Sequence, residues 1–149
     1  MSGFLLDTNV PSELTRSHSD PHVERWLTEA DDKQLFISVI TIGELMKGLT
    51  ILPASKRRSN LQDWLDFTMR PWFDSRVLPV DEPIAERWGI LAGECHLRGT
   101  PVSTTDGLIA ATALEHDLVI VTRNVKDFTR LGVAILNPWE QGMPGRPAT

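Results

Sequence analysis

Four acidic residues stand where chemistry is easiest to place: Asp7, Glu44, Asp106 and Asp127. Asp7 directly follows the apolar run Phe4-Leu5-Leu6 and precedes Thr8 and Asn9. Glu44 closes the stretch Thr41-Ile42-Gly43-Glu44, and Asp106 opens a strongly apolar segment. Asp127 lies just beyond Thr122-Arg123-Asn124, which follows a further apolar run. Two carboxylates about 4 Å apart repel by roughly 4 kcal/mol at an effective dielectric of 20. Acids gathered at such range therefore need protons or a cation. Hard oxygen donors suit Mg²⁺ or Mn²⁺. Zinc is not favoured, because no His or Cys pair has ligand spacing, and His18, His22, His96 and His116 read as scattered surface or helix-end residues. An ion held by carboxylates keeps positions open for phosphate and water, and it can activate that water against a phosphodiester bond. Such chemistry needs no Ser, His or Cys nucleophile.

Each acid also has a plain structural explanation. Thr41-x-x-Glu44 is the pattern of a helix capping box. Asp106 in a first helical turn favours the helix dipole. Asn124-x-x-Asp127 is another cap pattern, and Asp7 can start a turn. The catalytic alternative requires the fold to bring these groups to one place.

The elements that must do so are legible as short apolar runs alternating with helical patterns. Strands are expected at 4–6, 35–38, 77–80, 118–121 and 133–136, with Pro79 marking a sheet edge. Helices are expected from Pro11 to about Arg16, from Pro21 to Glu29, from Thr41 to Ile51, from Ala54 to Trp72, from Glu82 to Arg98 and from Thr105 to His116. The fourth presents Leu61, Trp64, Leu65, Thr68 and Trp72 on one side; the fifth has the stripe Ile84, Trp88, Leu91 and Cys95. A short helical turn is expected from Asn124 to Arg130. The alternation implies an α/β fold with a mainly parallel five-stranded sheet flanked by helices. Ligands of such sheets bind beyond the carboxyl ends of the strands, where Asp7, Glu44, Asp106 and Thr122 are expected to converge.

The bulk numbers agree with one globular domain over residues 1–140 and a Gly- and Pro-rich flexible tail at 141–149 in the 149-residue chain. The formal net charge of -5 argues against holding nucleic acid through a broadly basic surface. The single cysteine, Cys95, excludes an intrachain disulfide and reads as a core residue. No run is long enough to span a membrane, and the start lacks a basic segment before its apolar run, so a cytoplasmic protein is expected. Trp26, Trp64, Trp72 and Trp88 read mostly as core, with a partner surface as the alternative. The basic run Lys56-Arg57-Arg58 reads first as a solvated helix face, and second as a contact for RNA phosphates or a partner.

Four ordered motifs carry a resemblance. Leu5-Leu6-Asp7-Thr8-Asn9, Ile42-Gly43-Glu44-Leu45, Asp106-Gly107-Leu108-Ile109-Ala110 and Val121-Thr122-Arg123-Asn124-Val125-Lys126-Asp127-Phe128 are similar to the motifs of PIN-domain proteins of the VapC type. Asn137-Pro138-Trp139 resembles the usual ending. The resemblance implies a PIN-like three-layer fold, a homodimer, Mg²⁺- or Mn²⁺-dependent cleavage of RNA, and inhibition by a cognate antitoxin. It implies Asp7, Glu44 and Asp106 as core acids, with Asp7 and Asp106 as direct metal ligands and Thr8, Asn9 and Thr122 as their supports. The fourth corner stays open between Asn124, which ligates through its carbonyl oxygen or holds a water, and Asp127.

Two other enzyme classes fit less well. A haloacid-dehalogenase-like phosphatase needs a second acid two residues after Asp7, where Asn9 stands. A receiver domain needs an acidic pair near Asp7 and a lysine where Arg123 lies. The non-enzymatic alternative is a catalytically weak PIN-like module that binds RNA or co-represses with an antitoxin.

Overall fold

Successive residues of a strand face opposite sides of a sheet, and here both sides are buried. Leu6, Leu35, Ile37, Val121 and Leu136 join one core cluster, while Leu5, Ile120 and Ile135 join the other. Burial on both faces is why the strands read as unbroken apolar runs rather than alternating ones. The computed structural model describes residues 3–140. Its strands are β1 (Phe4–Leu6), β2 (Leu35–Ser38), β3 (Val77–Leu78), β4 (Val119–Val121) and β5 (Ile135–Leu136). They form one sheet in the order β3-β2-β1-β4-β5, and every pairing is parallel. Phe4 pairs with Leu35 on one side and Val119 on the other, so β1 is central and β3, with Pro79 beyond it, is an edge.

Helices cover both faces and make three layers. On the first face lie α1 (Asn9–Glu13), α2 (Pro21–Glu29), α3 (Val39–Ile51), α4 (Lys56–Trp64) and α5 (Arg70–Trp72). On the second lie α6 (Glu82–Leu97) and α7 (Thr104–His116), together with Phe128, which stands between two 3₁₀ turns, and Leu131, which ends the second of them. Cys95 is fully buried, as its stripe implied. Among the described residues no helix is long and apolar enough to cross a membrane. The tail expected at 141–149 lies outside the described residues.

Several boundaries differ from the sequence reading, each for a local reason. The helix placed at Pro11 begins at Asn9, because proline is tolerated in a first turn whose N–H groups have no partner anyway. It ends at Glu13, whose buried carboxylate accepts from the Asp20 amide at 2.8 Å and from Arg16, turning the chain toward α2. The helix placed at Thr41 begins at Val39, because Ser38 caps it by accepting from the Ile40 amide at 3.0 Å. The helix placed from Ala54 to Trp72 starts at Lys56 behind the Ser55 cap and contains a π turn over Leu65–Met69. That wider turn shifts the buried stripe by one position, so Met69 is buried and Thr68 is exposed. The turn after Asn124 is two 3₁₀ turns, Val125–Asp127 and Thr129–Leu131, rather than one helical segment.

The α6–α7 contact depends on a glycine. A Cβ at Gly107 would stand 2.9 Å from the Trp88 indole, so this ring packs directly on the α7 backbone. The helix α7 starts behind Ser103, whose hydroxyl accepts from the Asp106 amide at 3.2 Å. Ser103→Ala is expected to cost about 1 kcal/mol. In a domain of this size that lowers the melting temperature by about 2–4 °C, read by a thermal unfolding curve followed by circular dichroism. An unchanged midpoint would refute the cap.

Candidate active site

The strand order reverses at the centre of the sheet. The chain moves outward from β1 to β2 and β3, then returns to the other flank of β1 as β4 and β5. Ligands of open α/β sheets bind outside the carboxyl ends of the strands at such a switch point. Asp7, Thr8 and Asn9 leave β1 there, and Thr122 leaves β4 beside them.

These residues hold one another closely. The Asp7 amide donates to the Val121 carbonyl at 2.9 Å, joining the two strand ends. Its carboxylate accepts from the Thr122 hydroxyl at 2.8 Å and from the Thr8 amide at 2.9 Å. The Asn9 side-chain amide donates toward Asp7 at 3.4 Å and Thr122 at 3.3 Å, and its oxygen accepts from the Arg123 amide at 3.3 Å. Thr122 also accepts from the Asn124 amide at 2.9 Å. Asp7 is only 6% exposed. Burial pushes its carboxyl up to about 6, with the charges of Asp106 and Glu44 adding and the Thr122 and Thr8 donors opposing.

Glu44 and Asp106 come from opposite layers, on α3 and α7. Thr8 donates its hydroxyl to Glu44 at 2.5 Å, which ties α3 to the end of β1. The capping-box explanation of Glu44 is thereby overturned. Thr41 is buried inside α3 and its hydroxyl makes no hydrogen bond, while Ser38 is the cap. The structural explanation of Asp106 holds in part, since it sits in the first turn of α7, where its charge favours the helix dipole, and its amide donates to Ser103. It lies third in α7 rather than opening it. Its carboxyl is raised, first by burial and then by the charges of Asp127 and Glu44.

The acids therefore form a chain of mutual influence: Asp7 feels Glu44 and Asp106, and Asp106 feels Glu44 and Asp127. Asp127 is exposed, and its charge helps to raise the Asp106 carboxyl. Asn124 is exposed, and its side chain does not cap the turn that follows, contrary to the cap pattern. The four histidines are exposed or half-exposed, and among the described residues no three His, Cys, Asp or Glu side chains form a ready-made metal cage. The donor set nonetheless fits a hard divalent cation. Mg²⁺ characteristically takes one or two carboxylates and keeps several waters, and the buried Asp7 is a hard donor whose charge is penalised without a cation.

Two features escaped the sequence reading. Glu13 is a buried acid used as an internal brace, and the motif around Asp7 gave no sign of that use. Arg123 lies with its guanidinium 5.6 Å from the centre of the Trp139 ring, which explains why the Asn137-Pro138-Trp139 ending belongs beside the site.

The decisive comparison is with sequence families: the PIN domain model matches residues 4–134. The chain belongs to the PIN domain family. It is 36% identical to toxin FitB of Neisseria gonorrhoeae, over 91% of this chain and 98% of that protein. It is 38% identical to VapC ribonuclease Y4jK of Sinorhizobium fredii, over 92% of this chain and 98% of that protein. Among solved structures, that of FitAB bound to the IR36 DNA fragment superposes with a TM-score of 0.87 at 33% identity, covering 94% of this chain and 98% of that one. The expected α/β three-layer architecture is thus the PIN fold, with a sheet that is wholly rather than mainly parallel.

Proposed function

We infer that this PIN-domain chain is an endoribonuclease, a hydrolase of RNA phosphodiester bonds, and the toxin half of a toxin–antitoxin pair. The observation that carries the reading is the buried Asp7 carboxylate at the switch point of the sheet, beside a Thr8 whose hydroxyl donates to Glu44; the raised carboxyl of Asp106 supports it as a third member. Near full-length similarity to a VapC ribonuclease supports RNA as substrate, and similarity to FitB in the FitAB complex supports a cognate antitoxin as partner. PIN-domain ribonucleases are divalent-metal dependent as a class; here we assign Mg²⁺ or Mn²⁺, on the hardness of the oxygen donors. A homodimer follows from the family resemblance.

In this reading Asp7 and Asp106 hold the ion, and Glu44 either joins them or orients the attacking water. Bound there, the ion supplies charge against the phosphate oxygens and makes water a better nucleophile. Thr122 and the Thr8 amide fix the Asp7 carboxylate, and the Thr8 hydroxyl fixes Glu44. The fourth corner belongs to Asn124 or Asp127. The charge of Asp127 on Asp106 favours Asp127. A non-catalytic co-repressor has less support, because a buried acid beside two others is costly to keep without a use for it. A DNA-bound relative instead supports co-repression as an added property of the complex with antitoxin.

The test is cleavage of a structured RNA by the chain freed of its antitoxin. Cleavage is expected with Mg²⁺ or Mn²⁺ and none with excess chelator. Asp106→Asn is expected to slow it by about 100-fold or more, equivalent to about 2.7 kcal/mol of lost transition-state stabilisation. Cleavage that survives chelator would sink the metal assignment.

A further inference from the structure

Away from the carboxylates, an open groove of about 820 Å³ lies between the segment after α1 and the helix α4. Arg16 and His18 line it from the first segment, and Lys56, Arg57 and Trp64 from the second. No Asp or Glu is among its lining residues, in a chain whose formal net charge is -5. Lys56 and Arg57 make no salt bridge among the described residues. Arg16 reaches Glu13 at 3.4 Å yet stays 61% exposed. The positive end of the α4 dipole falls at the same place, since Lys56 and Arg57 occupy its first turn.

The groove is joined to the site by α1, which begins at Asn9. Turn-type hydrogen bonds continue from Leu14 through Arg16, so the chain stays coiled up to the groove. At about 1.5–2.0 Å of rise per residue, the seven steps from Asn9 to Arg16 span only about 10–14 Å. A nucleic-acid strand whose scissile phosphate sits at Asp7 must continue past the site, and α1 leads to a groove where several cations and an aromatic ring line one open space.

We propose that this groove binds a single-stranded stretch of the substrate RNA next to the cleaved bond. Its phosphates lie against Arg16, Lys56 and Arg57, and a base packs on the exposed part of Trp64. The proposal rests on the ribonuclease reading and adds where the substrate strand runs. Single-stranded RNA fits because only an unpaired base offers a face for an aromatic side chain, and because cationic grooves with aromatic platforms are the general solution for binding such strands. It also resolves how an acidic protein grips a polyanion: the cations are few and are placed together.

The test uses the full chain carrying Asp7→Asn, so that RNA survives, with and without the further pair Lys56→Gln and Arg57→Gln. The probe is a fluorescent single-stranded oligoribonucleotide, and its anisotropy gives Kd across a salt series. Both pair positions are exposed, and matching thermal unfolding curves establish that the fold is intact. The pair is expected to raise Kd by about 10-fold or more and to flatten the slope of log K against log salt by about 1.4, at about 0.7 per lost phosphate contact. In otherwise native protein it raises KM for a long RNA more than it lowers kcat. An unchanged Kd and slope overturn the proposal. So does loss of antitoxin binding with RNA affinity intact, which would make the groove a protein-docking face. If the native chain binds the oligonucleotide through these residues but cleaves no RNA with any divalent metal, the groove stands and the ribonuclease reading fails.

Discussion

Asp7→Asn is expected to lower RNA cleavage by about 1000-fold or more, a loss of about 4 kcal/mol in transition-state stabilisation, while making the metal-free protein more stable at neutral pH. The two effects share one cause. Burial pushes the Asp7 carboxyl up to about 6 in the folded chain, from an ordinary 3.8. As pH rises through that window the unfolded chain loses its proton first, so the folded state holds more protons than the unfolded one. Stability therefore falls between about pH 4 and pH 6, and above pH 6 the full penalty of roughly 3 kcal/mol is present. Asparagine carries no charge at any pH and escapes that penalty, while its amide oxygen can accept from Thr122 or Thr8 but not serve both as well as a carboxylate does. Allowing about 1 kcal/mol for the weakened hydrogen bonding, the net gain is about 1–2 kcal/mol, or roughly 2–8 °C in melting temperature. The check is a pair of melts in chelator at pH 4 and pH 7.5. The variant should gain at the higher pH and show no gain at the lower. A variant equally stable or less stable at pH 7.5 would mean that the Asp7 charge is not strained in the apo protein.

The second large effect is expected at a residue with no chemistry. Gly3 has φ +136°, and a Cβ there would stand 2.5 Å from the carbonyl oxygen of Gln34. Its own carbonyl accepts from the Val119 amide at 3.1 Å. Gly3 thus seats the start of β1 between β2 and β4, which in turn sets where Asp7 emerges. Gly3→Ala adds backbone strain of about 1–3 kcal/mol and overpacking of about 1–3 kcal/mol against a backbone atom that cannot rotate away. A loss of about 2–6 kcal/mol is expected by urea denaturation. Gly132 is the internal control, since its φ of +74° is similarly left-handed but nothing lies within 4 Å of its Cβ position. If Gly3→Ala costs no more than Gly132→Ala, the close approach at the start of β1 is wrong.

The sequence shows the acids more readily than their supports, and the reason is physical. Asp7 and Thr122 directly follow apolar strands, so once a parallel sheet is inferred their place at its carboxyl end follows. Glu44 and Asp106 lie on helices, where local pattern offers a rival explanation. For Glu44 the rival fails because Ser38 already caps α3, a choice between two hydroxyl residues that spacing alone does not make. The clasp between Thr8 and Glu44 joins residues 36 apart and has no local signature. The π turn at Leu65–Met69 was equally hidden, because a helical pattern with one extra residue reads as a slightly imperfect helix until Met69 is seen buried in place of Thr68. The groove beside α4 was visible only as the run Lys56-Arg57-Arg58. Its partners Arg16 and His18 lie about forty residues earlier in the chain and are brought near by the fold.

The bond from Thr122 to Asp7 spans 115 positions of the chain. Its two ends belong to neighbouring strands, β1 and β4, that no hairpin joins. Contacts of such long range form late and slowly in folding, because the intervening loop must first be closed. A partly synthesised chain still lacking β4 has Asp7 without its neighbour strand, without Thr122 and without a seat in the crevice. The hydrolytic centre is therefore complete only once β4 has docked beside β1, so its assembly waits on a pairing between residues 115 positions apart.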